Sequence, residues 1–219
     1  MATKYSKSKQ GNLKLSKDFT VREFACHDGS DTVLIDAKLI KYLQRIRNWA
    51  GYPLIISSGY RTPAYNRKIG GAANSRHTKG EAADIYVKDR KKSISEIARF
   101  AQAIGVLGIE KNEDSNYVHV DVRKKRYFWI HKGGKDITVD GFGGHCAYTE
   151  PRESLRRGSS GNGVRWLQWW LSLWGFNINV DGSYGERTES AVKDLQTRCG
   201  LVVDGIAGIK TRAALKGEF

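Results

Sequence analysis

Apolar and polar positions along this chain recur with two periods, one helical and one alternating. In "DAKLIKYLQRIRNWAG", Leu39, Ile40, Leu43, Ile46 and Ala50 share one helical face, preceded by Asp36 as an N-cap. In "SISEIARFAQAIG", Ser93 and Glu96 have capping-box spacing, and Ile94, Ile97, Ala98, Ala101 and Ile104 repeat helically before Gly105 ends the run. The stretches "PLIISS", "ADIYV", "YVHVDV" and "RYFWI" read as short strands. Two helices beside such strands predict an α+β domain built on a small antiparallel sheet with flanking helices.

The last third of the chain follows a different pattern. "GNGVRWLQWWLSLWG" sets Val164, Leu167, Leu171 and Trp174 at helical spacing and stops at Gly175. Pairing "VDGSYGERTESAV" with "VDGIAGIKTRAAL" aligns Asp181 with Asp204, Gly182 with Gly205, Gly185 with Gly208, Thr188 with Thr211 and Ala191 with Ala214, all 23 residues apart. Each copy reads as a turn leading into a helix N-terminus. A small three-helix domain is therefore expected over residues 152–219. The Gly-rich "DGFGGHCAYTEPRE" marks a linker at 141–151, and the first domain occupies 1–140. His145 in that linker reads as a solvated loop residue.

Length and charge narrow the picture. A chain of 219 residues can bury one medium core and a small second one. Its formal charge of +14 is uneven: 27 Lys and Arg face 16 Asp and Glu up to residue 150, and 10 face 7 beyond it. Such a surface suits nucleic acid, acidic lipid or an anionic wall polymer. Cys26, Cys146 and Cys199 are odd in number and far apart, so free thiols are expected. The basic start "MATKYSKSKQGNLKLSKDF" lacks the apolar core of a signal peptide, and no window suggests a membrane span.

Candidate chemistry lies around residues 74–121. Alternation in "YVHVDV" puts Val118, Val120 and Val122 on one face and Tyr117, His119 and Asp121 on the other. In "ADIYV", Ala83, Ile85 and Val87 face one way and Asp84 the other. Just upstream, "NSRHTKGEAADI" sets His77, Lys79, Glu81 and Asp84 among small residues. His77, Asp84 and His119 together are two imidazoles and a carboxylate, the ligand set of a catalytic zinc with an open fourth position. The plainer alternative is that His77 and Asp84 only hydrogen-bond to each other.

The string "SGYRTPAYNRKIGGAANSRHTKGEAADI", followed by "YVHVDVR", resembles the zinc D-Ala-D-Ala carboxypeptidase-like family of peptidoglycan peptidases, across most of residues 13–130. The resemblance implies that His77, Asp84 and His119 hold one Zn2+. It also implies that Arg61, in "SGYR", holds a substrate carboxylate or carbonyl. Ser75 then either bonds substrate backbone or braces its loop. One position departs from the family. Several relatives carry the general base three residues before the last histidine, where this chain has Asn116, and an amide cannot accept the proton. Asp121, on the strand face of His119, is the expected replacement, with Glu113 and Asp114 as alternatives; Asp121 can instead brace a ligand histidine.

Residues 152–219 resemble the type 1 peptidoglycan-binding domain. Trp166, Trp169, Trp170 and Trp174 exceed one helix face, so one or two are expected to stay exposed for stacking on sugar rings. The basic run "RKKRYFW" at 123–129 reads as a solvated strand edge, suited to anionic wall polymer rather than nucleic acid. Lys79 and Glu81 read as solvated, and His27 and His131 as structural. The resulting expectation is a monomeric, endolysin-like zinc peptidase that cuts a stem or cross-link peptide bond of peptidoglycan. It is made in the cytoplasm and reaches the wall after release, as a phage lysis enzyme does. The alternatives are a D-Ala-D-Ala carboxypeptidase and a non-catalytic wall-binding protein.

Overall fold

Capping chemistry sets the ends of the two long helices in the first part of the chain. Asp36 accepts from the Lys38 N–H at 2.8 Å to open the first, which ends at Gly51 with φ of 69°. Ser93 and Glu96 form a reciprocal capping box at the second. Such a cap contributes about 1 kcal/mol. A computed structural model describes residues 1–219 and divides them into two units, Met1–Gly144 and His145–Phe219.

In the first unit the chain runs through β1 (Thr3–Ser6), α1 (Lys7–Gln10), β2 (Thr32–Ile35), α2 (Ala37–Ala50), β3 (Leu54–Ser58) and α3 (Pro63–Lys68). It continues as β4 (Ala82–Val87), α4 (Ile94–Ala103), β5 (Gly108–Asn112), β6 (Tyr117–Asp121), β7 (Tyr127–Lys132) and β8 (Lys135–Thr138). The main sheet has the order β3-β4-β6-β5-β7-β8 and is antiparallel except between β5 and β7. A separate two-stranded sheet pairs β1 with β2.

Helices α2 and α4 pack on the sheet, with Trp49 of α2 stacked on Phe100 of α4 at 4.4 Å between ring centroids. Leu43, Ile46, Ile85, Ile97, Phe100, Ile109, Val118 and Val120 are all fully buried. Each large apolar side chain of this kind contributes roughly 1.5–3 kcal/mol on burial. The alternation read in β4 and β6 thus has a physical consequence. One sheet face is committed to the helices, and the residues between project from the other.

The sequence pattern predicts four strands where the structure has eight. Strand β5, "GIEKN", alternates Gly108, Glu110 and Asn112 with Ile109 and Lys111, so little in it looks apolar. The two units divide after Gly144, within the expected linker at 141–151. The Phe142 and Gly144 N–H groups donate to Gln102 Oε1, and Arg99 donates to the Gly143 carbonyl, strapping this segment to α4.

The second unit contains α5 (Asn162–Leu173), α6 (Glu186–Arg198) and α7 (Ile209–Leu215). The repeat seen in the sequence is a repeated hydrogen-bond clamp. Gln168, buried on α5, donates to Asp181 Oδ1, the Ser183 carbonyl and Thr188 Oγ1, and accepts from the Gly182 N–H. Gln196, buried on α6, makes the same four bonds to Asp204, Ile206, Thr211 and Gly205. Each helix thereby ties down the Asp-Gly turn that follows it. The tryptophans differ from expectation. Trp166, Trp170 and Trp174 are buried and Trp169 is half-buried, because this small core needs their bulk. The exposed apolar residues of this unit are instead Val202, Val203, Ile209 and Phe219.

Candidate metal centre

The face of the main sheet opposite the helices carries the polar residues in register. Ser58 pairs with Asp84, Asp84 with His119, His119 with Glu110, and Glu110 with Trp129, forming one row across five strands. His77 joins the row from a 3-10 turn at Arg76–Lys79, just before β4. That turn ends at Gly80, whose φ is 68° and where a Cβ would lie 2.3 Å from the Leu34 carbonyl oxygen. Only glycine meets both conditions.

His77, Asp84 and His119 are all buried, and their ligand atoms lie within 4.8 Å of one another. Each imidazole is oriented by its outer nitrogen. His77 Nδ1–H donates to the Gly59 carbonyl at 2.7 Å, and His119 Nε2–H donates to Asp121 Oδ2 at 3.2 Å. The inner nitrogens, His77 Nε2 and His119 Nδ1, are 3.0 Å apart and lie 3.1 and 2.9 Å from Asp84 Oδ1. In neutral rings with those outer donors, all three inner atoms are acceptors. Three converging acceptors are satisfied by a proton held on His119 or by a metal ion, and two nitrogens with one oxygen are donors that zinc takes. The expected set is therefore brought together, and its chemistry fits a metal ion better than a bare His–Asp hydrogen bond.

The electrostatics agree. Burial works against a charged His119, but Asp121 and Asp84 outweigh it and raise the ring to about 9. Burial likewise favours a neutral Asp84, yet His77 and His119 hold it below the usual carboxylate range. The site attracts positive charge.

A cavity of about 490 Å³ opens above the trio, lined by Arg61, Ser75, Glu110, Tyr117 and Trp129 among others. Arg61 donates to the outer oxygen of Asp84, Oδ2, at 2.5 Å and to Ser58 Oγ at 2.7 Å. Its fork reaches the pocket and also fixes which Asp84 oxygen faces the trio. Ser75 begins the His77 turn, and its side chain makes no capping bond there.

Asp121 lies elsewhere than a general base requires. It is fully buried behind His119, does not line the cavity, and has both oxygens engaged by Arg123. Burial raises its pKa, but His119 and Arg123 prevail and hold it low. Its contact is with the far nitrogen of His119, the position named in the alternative reading of Asp121 as a brace. Gly108 makes room for it, since a Cβ there would sit 2.2 Å from Asp121 Oδ1. Glu113 pairs with Lys111 and Lys132, and Asp114 accepts from the Gly133 and Gly134 N–H groups; neither lines the cavity.

Glu110, which does line the cavity beside Asp84 and Asp136, escaped the sequence reading. Burial raises Glu110 above the usual carboxylate range, opposed by a hydrogen bond from Asn112. The available signal was the alternation of Leu107, Ile109 and Lys111 with Glu110 and Asn112. Arg123, read as part of a solvated edge, is instead bound to Asp121 and lies over Tyr127 and Trp129. Lys124, Lys125 and Arg126 are exposed. Lys79 is exposed, but Glu81 pairs with Arg76. His131 pairs with Asp136 and Asp114, His27 meets Tyr65 edge-on, and His145 is exposed. The three cysteines are free.

Residues 17–121 match the family Peptidase M15, and residues 160–215 match the peptidoglycan binding domain family. The chain is 45% identical over 64 residues to N-acetylmuramoyl-L-alanine amidase CwlL of Bacillus licheniformis, covering 28% of this chain and 18% of the relative. It is 41% identical over 61 residues to the zinc D-Ala-D-Ala carboxypeptidase of Streptomyces albus G, covering 26% and 24%. It is 31% identical over 101 residues to the peptidoglycan L,D-endopeptidase MepK of Escherichia coli K12, covering 43% and 54%. The matches thus span about half or less of these relatives' lengths. In chain order, the two matches are to a Peptidase M15 domain and then to a peptidoglycan-binding domain.

Proposed function

We propose that this chain is a zinc-dependent peptidoglycan peptidase, cutting a peptide bond of the stem peptide or cross-link while its second unit holds it on the wall. The observation that carries the reading is the convergence of three buried acceptors at one cavity, within a domain that matches Peptidase M15. His77 through Nε2, His119 through Nδ1 and Asp84 through Oδ1 would hold one Zn2+. When bound, zinc supplies a Lewis-acid charge that polarises the scissile carbonyl and makes water more acidic.

The chain's own residues supply orientation. Arg61 keeps Asp84 turned and offers its remaining N–H groups to a substrate carbonyl or carboxylate. Ser75, at the cavity wall, hydrogen-bonds to substrate backbone. Asp121 fixes the His119 tautomer and is in turn held by Arg123, a chain of outer contacts typical of metal-ligating histidines.

The test joins zinc analysis of the purified protein with mass spectrometry of digested wall fragments. One zinc per chain and separated cross-linked stems are the expected result. Loss of a single terminal D-Ala points to a carboxypeptidase, and release of whole stems from glycan points to an amidase. Zinc-loaded protein that binds wall and cuts nothing makes it a wall-binding protein.

A further inference from the structure

Three carboxylates line the cavity, and two of them already have cationic partners. Asp84 belongs to the acceptor trio and binds Arg61; Asp136 is exposed and pairs with His131 at 2.6 Å. Glu110 differs from both. It is only 9% exposed and makes no ion pair, and its one protein donor is the Asn112 amide, 2.8 Å from Oε1. The other oxygen, Oε2, has no protein donor and is not sealed from the cavity. An uncompensated carboxylate in such a place is costly to the fold, so it marks a functional group.

Its position is set by the sheet. Glu110 stands directly opposite His119 in the β5–β6 ladder, with Trp129 on its other side. Adjacent strands lie about 4.8 Å apart, which puts the carboxylate one strand from the trio, close enough to share a water with it.

Resting on the peptidase reading, we infer that Glu110 is the general base of the reaction, on the neighbouring strand and not on the one that carries the last histidine. Water between Glu110 and the trio attacks the scissile carbonyl carbon, forming a C–O bond as its proton passes to Glu110. The C–N bond then breaks, and Glu110 returns the proton to the departing amine. One water is consumed, a carboxyl and an amine are released, and Glu110 ends as a carboxylate. No group on β6 has to replace Asn116.

The experiment compares wild type, Glu110→Gln and Asp121→Asn by zinc stoichiometry, melting temperature, and kcat and KM for amine release from wall fragments. Glu110→Gln is expected to keep its zinc and its KM and to lose about 10²–10⁴-fold in kcat, which added zinc does not restore. Asp121→Asn, by contrast, is expected to weaken zinc binding about 10–100-fold and to recover activity as zinc is raised. A Glu110→Gln enzyme within tenfold of wild-type kcat, or one rescued by zinc, overturns the assignment. If that variant is unfolded, Glu110→Asp decides: zinc retained with a reduced kcat supports the base role, and unchanged kcat overturns it. Wild type that releases no amine overturns the peptidase reading itself, and this inference with it; wild type and Glu110→Gln cutting equally leave that reading intact.

Discussion

His119 meets a carboxylate at each ring nitrogen, Asp84 at Nδ1 and Asp121 at Nε2. In the ion-free protein this makes stability depend on pH in a defined sense. A ring raised to about 9 when folded stabilises the fold fully below its unfolded value of about 6.5. That contribution is lost as pH rises through 9. Asp84 and Asp121 are depressed, so their contribution is present above about 4 and lost as pH falls further. Ion-free protein should therefore melt highest between about pH 4 and 6.5 and lower toward pH 9. Bound zinc removes the alkaline decline, because a ligand ring carries no proton on the bound nitrogen. Melting curves with and without zinc across this range check both statements. Gly108 makes a second prediction at this scale. Gly108→Ala forces a methyl against Asp121 and should cost about 1–3 kcal/mol, with weaker zinc binding, read by denaturant unfolding and chelator competition.

Among elements, those with strong periodicity and caps were legible, namely α2, α4, α5 and the strands around Asp84 and His119. The clustering of His77, Asp84 and His119 was legible too, because strand alternation isolates polar residues on an otherwise apolar segment. Strand β5 was not, since its outward face is Gly108, Glu110 and Asn112, chosen by the pocket and by the bulk of Asp121 and not by a core. Strand β8 is exposed throughout and leaves no apolar trace. For Asp121, alternation gives the face without the depth, and the side chain is fully buried. In the second unit, the paired clamps make the repeat testable. Gln196→Ala strips partners from Asp204, Thr211 and the buried Gly205 N–H, and should cost about 1–3 kcal/mol. Urea unfolding should show the loss in the second unit while zinc content stays the same.

At the scale of the molecule, two units with separate cores predict two responses to metal removal. Chelation should lower the unfolding transition of Met1–Gly144 and leave that of His145–Phe219 in place. At free zinc one hundred times its dissociation constant, the stabilisation is about 2.7 kcal/mol. Calorimetry on the intact chain, before and after chelation, reads this directly; an equal shift in both transitions contradicts it. The row from Ser58 to Trp129 has one more consequence. All five of its members are paired across hydrogen-bonded strands, so a ladder with a fixed step, and not the length of any loop, sets how far the proton acceptor stands from the acceptor trio. The turns at 113–116 and 133–134 can then lengthen or shorten to suit a new target while the reacting distances stay as they are.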